Sequence, residues 1–177
     1  MQRITRPALP GPARLPRAWR GALLAGATLA LPALAPAQTG APDGPRLWLN
    51  PGVYSHHFDR GKNLRDSNWG FGGEWWLTRE QAVVAGSFIN SNDRRSHYAA
   101  WMWRPLNTEW AGLRVGAGLA AGLFDGYPNY RDGAWFPLAM PVLTLEYGRV
   151  GVNLWPTPRI AGRTDAALSF QFKVGVW

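Results

Sequence analysis

The stretch Leu113–Leu123 constrains the fold most. One set of alternate residues is Leu113, Val115, Ala117, Leu119, Ala121 and Leu123; the other is Arg114, Gly116, Gly118, Ala120 and Gly122. A period of two is that of a β-strand, with one face uniformly apolar and the other built of the smallest residues. In a soluble sandwich the inner face carries bulk to fill the core. Here the small face predicts a lumen with room in it, and the apolar face predicts a greasy exterior, as in a small membrane β-barrel holding a ligand. Gly116, Gly118 and Gly122 are the expected lining of that room. Their resemblance to a dinucleotide loop is rejected, because they sit mid-strand with no helix following.

Residues 1–37 read as a secretory signal to be set aside before the fold is considered. Arg3, Arg6, Arg14, Arg17 and Arg20 form a basic region, Leu23–Leu34 an apolar run broken by Pro32, and Ala35-Pro-Ala37 a small-residue cleavage site. An uncleaved anchor and a basic tail are the alternatives. Removing the leader takes five of the 19 basic residues and none of the 11 acidic ones, so the net charge falls from +8 to about +3. The basic character belongs mostly to the leader, which argues against nucleic acid as a partner. Residues 38–45 are a short Pro-rich linker, and 46–177 form one domain. There is no Cys, which excludes disulfides and thiolate chemistry. Of eleven Trp, only Trp19 lies in the leader; so many suit aromatic girdles at two membrane interfaces better than a soluble core.

Turn signals divide the domain into eight strands: 46–58, 69–78, 81–90, 96–104, 113–123, 136–146, 150–155 and 166–177. Pro105–Thr108 is the expected turn before the fifth. The loops after odd-numbered strands are long and the turns after even-numbered ones short, as in an all-β, antiparallel, up-and-down outer-membrane barrel. In the last strand Phe170, Phe172, Val174 and Val176 oppose Ser169, Gln171, Lys173 and Gly175, so the first set is expected outward. Trp177 ends the chain on the polar parity. Pro137 and Pro141 lie within the sixth strand, and Pro156 and Pro158 follow the seventh. Each removes a ladder donor, so they predict either a wall left unpaired on purpose or a short, bulged strand.

Trp103-Arg104-Pro105-Leu106, the central strand, the run from Pro137 through Pro141 to Tyr147-Gly148, and Ser169-Phe-Gln-Phe resemble the lipid A palmitoyltransferase (PagP) family of the outer membrane. The resemblance covers about residues 46–177. It implies a barrel that holds one acyl chain, takes phospholipid in laterally at the prolines, and moves that chain to a hydroxyl of lipid A. The implied partners are phospholipid and lipid A, with a monomer and no cofactor. The family's Asp-Ser pair falls on Asn90-Ser91, and a chain-length-determining position falls on Tyr98, where a bulky ring implies an acyl chain shorter than palmitate.

The family's His has no ungapped counterpart, but pleat parity separates the candidates. Tyr54 and Phe58 are expected outward together with His56, which leaves His57 inward with Ser55. His57 is then the expected general base and Ser91 an oxyanion donor or proton source, with Asn90 available for hydrogen bonding but not for charge. His97 begins the fourth strand close to the same loop and reads as a loop-end residue in preference to a substitute base. The three His match no metal-ligand spacing, and Asp93, Arg94 and Arg95 read as a solvated face with some capacity for lipid phosphates. A non-catalytic lipid-binding or structural barrel is the alternative from another functional class, and a lipid A deacylase, using Ser and His with water, is a third reading.

Overall fold

The computed structural model describes residues 40–160 and 165–177; the signal reading of 1–37 lies outside them. Eight strands, β1 (Leu47–His57), β2 (Ser67–Trp76), β3 (Gln81–Ile89), β4 (Arg95–Trp110), β5 (Leu113–Phe124), β6 (Phe136–Tyr147), β7 (Val150–Thr157) and β8 (Ala167–Gly175), close into one barrel. Every strand is antiparallel to its sequence neighbours, and β8 returns to β1. The expected eight-stranded antiparallel architecture is therefore present. The turns β2–β3, β4–β5 and β6–β7 are short, and the long connections all lie at the opposite end.

Alternation along each strand sorts side chains into two environments. Trp69, Phe71 and Trp75 of β2 are exposed on the outside, while Asn68, Glu74 and Trp76 are buried inside. On β8, Phe172 and Val174 face out, and Gln171 and Lys173 are buried. The parity argument for β1 also holds: Ser55 and His57 are buried, while Tyr54 and Phe58 are exposed.

Three sequence expectations are corrected. The fourth strand does not end at Arg104 and turn through Pro105–Thr108; β4 runs on to Trp110, with a register shift between Trp103 and Leu106 that absorbs Pro105. The turn is Ala111-Gly112, both with positive φ. A bulge lets a proline sit in a ladder without leaving an unmatched acceptor. Secondly, the glycines of β5 do not leave empty space. A side chain at Gly116 would collide with the Arg104 side chain, and at Gly118 and Gly122 with the backbone of β4; they allow close approach of strands and packing of Arg104. Thirdly, Trp177 lies past the end of β8, is freed from strand parity, and stacks outside on Trp75 at 5.2 Å. Residues 40–45 are tied to the barrel: Asp43 pairs with Arg79 at 2.8 Å, and its carbonyl accepts from Arg114 Nη1 at 3.1 Å. They form a strap across the short-turn end.

The lumen has two halves. Towards the short turns, Lys173 Nζ lies 2.8 Å from both Glu74 and Glu146. Arg104 binds Glu146 at 3.0 Å and Thr144 at 2.6 Å while covering the Trp76 ring at 4.1 Å. Glu74 also accepts from Trp76 Nε1 and Asn153 Nδ2. These buried charges are tolerated because each has several partners. Towards the long loops the interior turns apolar and opens into a cavity.

Candidate functional site

The cavity has a volume of about 250 Å³ and is lined mainly by apolar side chains, including Val84, Ala100, Ala120, Met140 and Trp155. Tyr98 lines it beside Glu74 and Gln171 of the polar network. Its ring stacks on Phe124 at 5.7 Å, and its hydroxyl accepts from Gln171 Nε2 at 3.4 Å. A side chain at either Gly72 or Gly86 would strike that hydroxyl, so two glycines on neighbouring strands make the slot for one tyrosine. Tyr98, Ala120 and Pro141 line the cavity; Gly116, Gly118, Gly122 and Pro137 do not.

The wall of the cavity is incomplete on one side. Along β6, ladder pairs with β7 run only from Leu143–Leu154 to Tyr147–Val150, whereas pairs with β5 continue to Phe136. Pro137 and Pro141 lie in the part of β6 that has no β7 partner. Their missing donors therefore cost no hydrogen bond there. Leu138, Met140, Pro141, Thr157 and Pro158 from the two separated strand ends all border the cavity.

At its long-loop end, His57 Nε2 and Ser91 Oγ share a hydrogen bond of 2.9 Å. His57 is the last residue of β1 and only 7% exposed; Ser91 is the second residue of the β3–β4 loop, and its carbonyl accepts from Arg65 N at 3.1 Å. Among the described residues His57 Nδ1 has no hydrogen-bond partner, so the pair is a dyad without the carboxylate of a serine-hydrolase triad. A third residue joins it from a place that sequence reasoning missed. Asn68, buried at the start of β2, donates through Nδ2 to Ile89 O at 2.9 Å and to Ser91 Oγ at 3.4 Å. The only signal for it was inward parity with Glu74 and Trp76, hidden when the second strand was begun at Trp69.

Asn90 makes no hydrogen bond to His57 or Ser91. Its Nδ2 donates to Ser96 Oγ and Gly126 O, each at 2.9 Å, and its Oδ1 accepts from Asn92 N at 2.9 Å and Arg94 N at 3.2 Å. The expected hydrogen-bonding role towards the pair is thus replaced by one in the loops. His56 is half-buried on the outward side, edge-on to Phe58 at 5.4 Å. His97 stands at the start of β4, as expected, and also faces outward, its Nδ1 3.0 Å from Asp125.

The loop between β5 and β6 borders the cavity through Tyr127 and Tyr130, with Tyr130 stacked on Phe136 at 4.5 Å. Burial pushes the Tyr127 phenol up to about 12, so it presents a neutral hydroxyl at physiological pH. Among the described residues no group of His, Asp and Glu is arranged to hold a metal ion. In comparison with known proteins, no family model matches the chain, and no curated protein matches it.

Proposed function

We propose that the chain is an outer-membrane acyltransferase that moves an acyl chain from a phospholipid to a hydroxyl of lipid A. The observation that carries this reading is the buried His57–Ser91 hydrogen bond at the end of an apolar cavity whose wall is unpaired between β6 and β7. A ring of exposed aromatic and aliphatic side chains, with Trp69 at 68% and Phe71 at 66% exposure, supports a lipid surrounding. The signal-like composition of residues 1–37 and the family resemblance of the Pro137–Gly148 run support the same compartment.

In this mechanism an acyl chain enters sideways past Pro141 and lies in the cavity, its terminus against Tyr98 and its ester near Ser91. The acceptor hydroxyl gives its proton to His57 Nε2, directly or through Ser91 Oγ. Its oxygen then bonds to the ester carbonyl carbon, while the amide of Asn68 and the Ser91 hydroxyl supply donors for the oxyanion. Collapse of the tetrahedral species breaks the bond to the phospholipid's glycerol oxygen. That oxygen takes the proton back from the imidazolium and leaves as lysophospholipid, so the residues end as they began. No cofactor takes part.

Mass spectrometry of lipid A from a Gram-negative host expressing the chain tests this. Gain of one acyl chain is expected, with His57→Ala reducing transfer by about 10²- to 10⁴-fold, the usual worth of a general base. Ser91→Ala should fall by less. Loss of an acyl chain would replace the reading with deacylation by the same dyad, and an unchanged spectrum from folded protein in the outer membrane would leave a lipid-binding barrel without catalysis.

A further inference from the structure

We infer that Asn90 is a positioning residue that ties the Ser91 turn to the loop bordering the cavity, so that one buried amide sets both the dyad and the cavity's outer end. The inference deepens the proposed function and rests on it only for its kinetic consequence.

Asn90 has 0% exposure and uses every hydrogen-bonding site of its side chain. The two functions are chemically separable. The carbonyl oxygen accepts from Asn92 N and Arg94 N, closing the β3–β4 turn together with the backbone bonds Asn90 N to Arg94 O at 2.7 Å and Asp93 N to Asn90 O at 3.0 Å. That turn sets Ser91 on His57. The amino group points the other way, to Gly126 O and to Ser96 Oγ, and Ser96 Oγ donates onward to Asp125 O at 2.7 Å. Asp125 and Gly126 are the first residues of the β5–β6 loop, directly before Tyr127.

Gly126 is built for this attachment. Its φ is +81°, and a side chain there would collide with Arg95 O and the Ser96 hydroxyl, so the loop base lies flat on β4 where Asn90 reaches it. The loop then closes on itself through Gly126 N to Gly133 O at 2.9 Å and Tyr130 N to Tyr127 O at 3.0 Å. Asn90 therefore joins two segments 36 residues apart in sequence.

Asn90→Asp separates the two halves, because a carboxylate keeps both acceptor bonds of the turn but has no N–H for Gly126 O. Hydrogen exchange on the purified protein in detergent micelles reads the outcome without any assay of transfer. Amides of 126–134 should exchange about tenfold faster, as expected when a buried carbonyl loses its donor, while those of 92–94 stay at the wild-type rate. Ser96→Ala, which deletes only the link to Asp125, should move the same amides in the same direction by less. Exchange in 126–134 at the wild-type rate, or equal loosening of 92–94, would overturn the inference and leave Asn90 a turn former alone.

With dimyristoyl phosphatidylcholine as donor, Asn90→Asp should raise KM by about tenfold from the same lost bond, with kcat within about twofold. A fall in kcat at unchanged KM would instead place Asn90 in the chemistry and overturn a positioning role. Absence of transfer by the wild-type protein would sink the proposed function while leaving the exchange result to stand by itself.

Discussion

The two halves of the lumen are made by the same alternation, yet hold opposite contents. Towards the short turns the inward positions of β2, β6 and β8 carry Glu74, Glu146 and Lys173, and the space is filled by ion pairs. Towards the long loops the inward positions of β3, β4 and β5 carry Val84, Ala100 and Ala120, and a cavity remains. Long charged side chains reach across a narrow barrel and neutralise one another, whereas short apolar ones cannot meet. The difference teaches that a small barrel is emptied by the length of its inward residues and not by glycine. Tyr98 touches both, with its ring stacked on Phe124 and its hydroxyl on Gln171 of the polar network.

Lys173→Met attacks the charged half and should have the largest effect on stability. It leaves Glu74 and Glu146 without their shared cation, a loss of about 3–5 kcal/mol when one partner of a buried ion pair is removed. Thermal or urea unfolding in micelles measures it, and a change below 1 kcal/mol would mean that the network is solvated. Transfer per folded molecule should fall far less than stability, since Lys173 does not line the cavity and only its partner Glu74 does.

Tyr98→Ala empties part of the cavity wall. Removing the ring should enlarge the cavity and shift the preferred acyl chain to a longer one. At about 1–3 kcal/mol per methylene accommodated, the ratio of long- to short-chain transfer should rise roughly 10- to 200-fold. The check is competition between phospholipids of mixed chain length, and an unaltered ratio would show that the floor lies elsewhere.

The smallest effect is expected at the dyad's edge. Asn68→Ala removes a donor from Ser91 without touching His57 Nε2, and a neutral hydrogen bond of about 0.5–1.5 kcal/mol corresponds to a loss of roughly 2- to 12-fold in kcat/KM. A loss as deep as that of His57→Ala would promote Asn68 from a supporting donor to a residue required for the chemistry.

Much of the fold was legible because pleat parity is a local property. The outward places of Phe172 and Val174 and the inward place of His57 follow from counting by two, and the structure keeps them. Pro137 and Pro141 also gave fair warning, as they occupy the part of β6 that lacks a β7 partner. Counting by two fails wherever the chain stops being a strand or slips. Trp177 escaped parity past the end of β8, and Pro105 was read as a turn because a bulge has no local signature apart from the proline itself.

The sequence by itself determined which residues of each strand face in and which face out, since alternation needs only the covalent geometry of an extended chain. It also determined that Ser91 lies in a loop and His57 on an inward face. Only the tertiary structure decided that these two meet at 2.9 Å, that Asn68 stands beside them, and that Asn90 turns away to Gly126. Those are matters of register and closure between strands distant in sequence, and a register depends on every pairing around the barrel at once.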